Sequence, residues 1–245
     1  MSTADTTIDT GSSDTTQEEL PLVLSLSRHL GSTSSSSDVH LILASQSPRR
    51  KEILDMMGLQ GKFTPTPSPL DESALQKQLA SLPPVEYTRR LAEEKAKALA
   101  MDMTGGRIPK PTLVLGSDTI VDLEGTILEK PTDAASAKVM LQALSGQRHN
   151  VHTGVALYLV QNQEEPKLVA SITDTAGVLF AHLREHDIDA YIQTGEPMDK
   201  AGSYGIQGIG GQFVANVSGD FFTVMGLPMH KTSQMLAKAI KDVLQ

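Results

Sequence analysis

The sequence predicts an α/β fold, and three observations carry that prediction. From Leu41 onward, short apolar runs of strand length alternate with amphipathic helical stretches. Capping residues, prolines and glycines fall at the junctions between them, where they start and stop helices. The first 38 residues have a different texture, rich in Ser, Thr and Asp, and bury too little apolar area to offset chain entropy. They are read as a disordered tail, with residues 39–245 as the folded domain. Inside the tail, Leu22, Val23, Leu24 and Leu26 form an apolar patch that is either a docking segment or incidental.

Taken in order, residues 41–44 form a buried strand, and a helix follows from Pro48 to Gly58. Ser47 suits its N-cap, Pro48 its first position and Gly58 its left-handed end. Pro65, Pro67 and Pro69 mark a loop leading to Asp71-Glu72, and a long helix spans about 85–101. Residues 113–115 are a strand that Ile120 and Val121 extend past Asp118; Glu124-Gly125 turns it into a short strand at Ile127-Leu128. Asp133 caps a helix through Leu144 that stops at Gly146. Long strands over 150–160 and 167–180 are joined by a polar turn at 162–166. A helix near 188–193, a glycine-rich stretch at 195–211, a hairpin turning at Ser218-Gly219-Asp220, and a final helix from Pro228 complete the chain. Leu236, Ile240, Val243 and Leu244 share one face of that last helix.

Composition narrows the function classes. The 245 residues contain no cysteine, which removes disulfide frameworks, thiolate metal sites and cysteine nucleophiles, and fits the cytoplasm. No apolar run approaches the roughly 20 residues needed to span a bilayer. The formal charge of −8 speaks against a nucleic-acid partner, whose phosphates call for clustered Lys and Arg. Of that charge, −5 lies in the first 40 residues, so the body is nearly balanced and a small anionic substrate stays open.

Several patterns could carry chemistry. Ser45, Ser47, Arg49 and Arg50 bring hydroxyls and guanidiniums to one strand-to-helix loop, which suits phosphate groups and equally suits a plainly capped helix. Asp118 lies where a carboxylate would stand at the end of a buried strand beside a cleft, or in a polar turn. Glu72, beside Asp71, is a further oxygen ligand or simply part of an acidic helix start. Lys95 and Lys130 are single cations that could neutralise phosphate or lie on the surface. His182 and His186 have helical spacing, but no third ligand accompanies them. The stretch from Gly195 to Gly211, which includes Lys200 and Gln207, is too glycine-rich for regular structure and can approach a ligand closely. Gly208-Ile209-Gly210-Gly211 opens into strand-like sequence, not a helix, so it is no dinucleotide fingerprint.

Ala44-Ser45-Gln46-Ser47-Pro48-Arg49-Arg50, Gly116-Ser117-Asp118-Thr119-Ile120-Val121 and Gly195-Glu196-Pro197-Met198-Asp199-Lys200-Ala201-Gly202 together resemble the Maf family of nucleoside triphosphate pyrophosphatases. Arg90-Leu91-Ala92-Glu93-Glu94-Lys95-Ala96 and Lys130-Pro131 lie between them in the family's order. The resemblance implies a two-lobed α/β fold around an elongated mixed sheet with flanking helices, related to inosine triphosphate pyrophosphatases, with a nucleoside triphosphate in a central cleft and a homodimer as assembly. It implies Asp118 as the catalytic aspartate, Mg2+ or Mn2+ held by Asp118 and Glu72, and Arg49, Arg50, Lys95 and Lys130 as charge stabilisers. Arg49, Thr119 and Gln207 match positions that set base preference. The Ser-Asp-Thr, Asp-Lys-Ala-Gly and Gly-Ile-Gln-Gly combination resembles the dTTP/UTP branch. Purine analogues such as ITP or 7-methyl-GTP are the alternative substrates, and a non-catalytic nucleotide sensor involved in division arrest is the alternative role.

Overall fold

The structure, a computed structural model, describes residues 21–33, 36–106, 108–161 and 164–245. The first 20 residues of the expected tail, and residues 162–163 of the expected turn, lie outside the described residues. The described residues open with one helical turn, α1 (Val23–Leu26), and a two-residue strand, β1 (Leu30–Gly31). The strand β2 (Val39–Leu43) is buried along its whole length, in keeping with its Val, Leu and Ile side chains, and His40 is buried with them. Then come α2 (Pro48–Leu54), which starts on its proline and runs into a wider turn where Gly58 takes the left-handed conformation (φ 78°), and β3 (Thr64–Pro65). Two helices, α3 (Glu72–Leu79) and α4 (Pro84–Met103), carry the chain to the long strand β4 (Thr112–Leu123).

A tight turn at Glu124 and Gly125, both at positive φ, leads to β5 (Thr126–Leu128). Asp133 caps α5 (Ala134–Leu144) by accepting from the Ser136 amide. The strands β6 (Arg148–Val160) and β7 (Lys167–Phe180) follow, then α6 (Glu185–Gln193), a run of short 3-10 turns, β8 (Val214–Ser218), α7 (Phe221–Met225) and α8 (Met229–Leu244). Among the described residues the sheet has eight strands in the order β1-β2-β4-β6-β7-β8, with β3 beside β2 and β5 beside β4. The pairs among β1, β2, β3 and β4 are parallel and the others antiparallel, so the sheet is mixed as expected.

Side-chain alternation along β4 divides the core. Leu113 and Leu115 point into one cluster with β2, α2 and α8, while Val114 points to the opposite face under α4. Further along the same strands, Val121, Val151, Val178 and Phe180 build a second core with α5, α6, Tyr204 and Phe213. These are the two lobes, and one continuous sheet joins them. Between them β4 is exposed at one edge, because β2 pairs with it only as far as Leu115 and β5 begins at Val121. Residues 116–120 are paired by β6 alone, which leaves a notch in the middle of the sheet.

Glycine is required where α4 crosses this part of the sheet. A Cβ on Gly116 would lie 2.5 Å from the Ala92 carbonyl oxygen, and one on Gly154, the partner of Asp118 on β6, would lie 2.4 Å from the Thr88 carbonyl oxygen. Both obstacles are backbone and cannot swing aside. Gly154→Ala is therefore expected to push α4 off the sheet at a cost of about 1–3 kcal/mol, seen as a melting midpoint lowered by roughly 5 °C. An unchanged midpoint would contradict the close packing.

Two expectations need correction. The boundary of the disordered tail at residue 38 does not hold for the described part of that segment. Val23 and Leu30 are 1 % and 2 % exposed, the Val23 amide donates to Ser233 Oγ of α8 at 2.9 Å, and β1 pairs with β2. Val23 and Leu26 lie three apart on one helical face, toward the core, while Leu22 and Leu24 stay exposed. The expected hairpin at Ser218-Gly219-Asp220 is instead a strand-to-helix junction, because the Asp220 carboxylate accepts from the Phe222 amide and starts α7.

Candidate active site

The notch in the sheet opens into a cleft of about 570 Å3. The end of β2 delivers the loop 45–47 and the start of α2 to one wall, and β4 brings Asp118 and Thr119 to the floor. Lys130 follows β5, and residues 199–207 form the opposite wall. Ser45, Ser47, Arg49, Arg50, Glu72, Lys95, Asp118, Thr119, Lys130, Lys200 and Gln207, all singled out from sequence, line this one space.

Asp118 is the buried centre. Its Oδ1 accepts from Lys95 Nζ at 2.5 Å, and the same ammonium lies 2.7 Å from Glu72 Oε2. Gly116 and Gly154 let α4 approach closely enough to place Lys95 there. Burial works against the charge on Lys95, but Asp118 and Glu72 outweigh burial and the nearby Arg50, and hold the ammonium above the ordinary lysine value. Within the Asp71-Glu72 pair the roles divide: Asp71 caps α3 by accepting from the Ala74 amide, and Glu72 reaches into the cleft.

Each nitrogen of the Arg50 guanidinium donates to a neutral oxygen. Its Nε donates to the Gly226 carbonyl at 3.0 Å, Nη1 to Ser45 Oγ at 3.2 Å and Nη2 to Thr119 Oγ1 at 3.2 Å. Burial lowers its pKa, with Asp118 opposing. Thr153 Oγ1 donates to the Thr223 carbonyl, so Thr119 Oγ1 must spend its own proton on Thr153 Oγ1, 3.0 Å away, while accepting from Arg50. Arg49 instead crosses the cleft: Nη1 donates to Asp199 Oδ2 at 3.1 Å and Nη2 to the Asp199 carbonyl at 3.3 Å. Lys200 Nζ donates to Asp199 Oδ1 and to the Glu196 carbonyl, both at 2.6 Å. Lys130 has no ion pair among the described residues.

Sequence reasoning gave no role to Glu129, Asp199, Glu196, Tyr204 or Gly226, although Glu196 and Asp199 stand within the motif at 195–202. Glu129 lines the cleft and accepts from Tyr87 Oη at 2.6 Å; burial, reinforced by the charge of Asp118, holds it above the usual carboxylate range. Its only sequence signal was its place beside Lys130. Among the described residues no group of three or more His, Cys, Asp or Glu side chains is arranged to hold a metal. No helix there is long and apolar enough to cross a membrane.

Tyr204, at the cleft's inner wall, shares a 2.9 Å hydrogen bond with His149 Nε2. Burial pushes His149 down to about 4 from 6.5, so the folded protein keeps it neutral while the unfolded chain protonates first as the pH falls. Its contribution to stability is complete above 6.5 and is lost on going down toward 4. Between pH 7 and 4.5 the wild type should lose about 2 kcal/mol more than His149→Gln in denaturant titrations. Equal losses would contradict a buried neutral imidazole.

The comparisons with known proteins agree with this arrangement. The profile of the family described as Maf-like protein matches residues 40–239. The chain belongs to the Maf family. Among its relatives, a protein of Moorella thermoacetica named dTTP/UTP pyrophosphatase is 46 % identical over 197 residues, 80 % of this chain and 93 % of its own length. Proteins of the same name from Shewanella sp. (strain MR-7) and Vibrio cholerae are 46 % and 43 % identical, covering 82 % and 81 % of this chain and 98 % and 97 % of themselves. The Staphylococcus aureus Ham1 protein structure, at 13 % identity and a TM-score of 0.36 over 82 % of this chain and 98 % of its own, is too distant to argue from. As a Maf family member the chain carries α1 and β1 ahead of the matched span.

Proposed function

We propose that this chain hydrolyses nucleoside triphosphates, dTTP and UTP foremost, to the monophosphate and pyrophosphate. The observation that carries the reading is the convergence of four carboxylates, Asp118 and Glu72 among them, and five cations on one cleft, in a chain that belongs to a family whose close relatives bear that activity as their name. Asp118 Oδ1 and Glu72 Oε2 converge on one cation, the Lys95 ammonium, and are hard oxygen donors of the kind Mg2+ or Mn2+ takes alongside substrate phosphates. These two residues would hold such a metal, which when bound supplies charge neutralisation and a more acidic water.

The chain's own residues do the rest. Asp118, with Oδ1 bonded to Lys95, uses Oδ2 to orient the attacking water and take its proton as that water adds in line at the α-phosphorus and the bond to the α,β-bridging oxygen breaks, releasing pyrophosphate. Lys95, Lys130 and Lys200 stabilise charge on the phosphate oxygens, with Arg49 joining as the nucleotide displaces Asp199 from it. Arg50 keeps the Ser45 loop, Thr119 and Gly226 in register around the substrate. The Ser45 and Ser47 hydroxyls face the same space; Ser47 Oγ makes no capping bond and is left for the ligand. A cytoplasmic homodimer acting on free nucleotides, without nucleic-acid or membrane partners, completes the proposal and rests on the family resemblance.

Gln207 is assigned to the base, because one amide can donate and accept at once, matching the paired groups on the edge of uracil or thymine. Gln207→Glu loses the donor and is expected to lower kcat/KM for UTP by about tenfold or more with little change in melting midpoint. The assay is pyrophosphate release from UTP, dTTP, CTP, GTP, ITP and 7-methyl-GTP, with and without a chelator. UTP and dTTP should lead, and chelation should abolish turnover. A wild type that prefers ITP or 7-methyl-GTP would overturn the pyrimidine assignment.

A further inference from the structure

We infer that Glu196 is the positioning residue for base selection, its carboxylate serving as the form on which the loop carrying Gln207 is moulded. The inference rests on the reading of the cleft as a nucleotide site. Glu196 Oε2 accepts from the Ile209 amide at 2.9 Å, and Oε1 accepts from the Gly210 amide at 3.1 Å and from Tyr191 Oη at 3.0 Å. The loop wraps this carboxylate so closely that a Cβ on Gly208 would lie 2.6 Å from Glu196 Oε1, and one on Gly210 would lie 2.6 Å from Tyr191 Oη. Gln207 immediately precedes Gly208 and lines the cleft, whereas Glu196 stands behind the loop and outside the cleft lining. Gln207 is part of no regular helix or strand that would hold it, so its approach to a base is set by the two amides on one side of it.

The same residue holds the phosphate end by a different atom. Lys200 Nζ donates to the Glu196 main-chain carbonyl, which a side-chain substitution leaves in place. The two ends of the substrate are thereby separable. Glu196→Gln replaces one accepting oxygen with an amide that donates, and so faces at least one donor of the loop with another donor. Base recognition should loosen while the phosphate contacts stay.

The test measures kcat and KM for UTP and CTP, together with inhibition by inorganic tripolyphosphate, which has no base, in the full-length wild type, Glu196→Gln and Tyr191→Phe. The expected result for Glu196→Gln is a KM for UTP raised about tenfold, kcat within about threefold, a reduced preference for UTP over CTP, and an unchanged inhibition constant for tripolyphosphate. Tyr191→Phe removes one donor of the three and should shift KM in the same direction by about threefold, which keeps the inference testable if Glu196→Gln does not fold. Retained KM and selectivity in a folded Glu196→Gln, or in Tyr191→Phe alone, would overturn the role. So would parallel loss of kcat and tripolyphosphate binding, which is the mark of general damage. A wild type that turns over no triphosphate would sink the functional reading first, and this inference with it.

Discussion

Asp118→Asn is expected to lower kcat by about a hundredfold or more, the largest effect of any single substitution in the cleft. The exchange keeps the size of the side chain and removes its charge. Lys95 then loses the carboxylate 2.5 Å away and keeps Glu72 at 2.7 Å, so the buried ammonium is not left wholly unpaired. The protein should therefore still fold, with a melting midpoint only modestly lowered. Steady-state pyrophosphate release from UTP, measured beside a thermal melt, separates the two effects. Turnover near the wild-type rate would show that Asp118 is not the catalytic carboxylate.

Deleting residues 1–37 is expected to destabilise the domain by about 3 kcal/mol, roughly 10 °C in melting midpoint. The loss comes from the buried Val23 and Leu30 side chains, the partly buried Leu26, the Val23 to Ser233 hydrogen bond and the pairing of β1 with the edge of β2. These contacts lie on the face away from Lys95, and kcat/KM at low temperature should be largely kept. Deleting residues 1–20 alone, which spares α1 and β1, is the control and should leave the midpoint close to wild type. A full truncation that melts with the wild type would show that α1 and β1 are not part of the cooperative unit.

The contrast between that segment and the rest marks what a sequence makes legible. The helices α4, α5 and α8 carry enough turns for a periodic apolar face, and their ends carry their own signals in Asp133, Gly146 and Pro228. The passage of β4 through Asp118 was legible because Ile120 and Val121 continue the strand pattern. A single helical turn offers no period, and the burial of Val23 depends on Ser233, 210 residues away. Asp220 misled for a related reason: Ser-Gly-Asp suits a hairpin as well as a helix start, and only the Phe222 amide decides between them.

The site divides in the same way. Ser45, Arg49, Arg50, Lys95 and Asp118 were legible as residue types suited to phosphate and metal chemistry, and the cleft brings them together. Not all of their partners were. Arg49 meets Asp199 across 150 residues of chain and Arg50 meets the Gly226 carbonyl across 176, and a main-chain oxygen has no sequence signal at all. Glu196 belongs to the same class, since its chemistry lies in the backbone amides it accepts from.

The central claim is cleavage between the α- and β-phosphates of a pyrimidine triphosphate, and the most direct test identifies the products of UTP hydrolysis by the wild type in water carrying heavy oxygen. The expected result is UMP and pyrophosphate in equal amounts, with the heavy oxygen in UMP, because water adds at the α-phosphorus. Formation of UDP and inorganic phosphate, or heavy oxygen in the pyrophosphate instead of UMP, would contradict it.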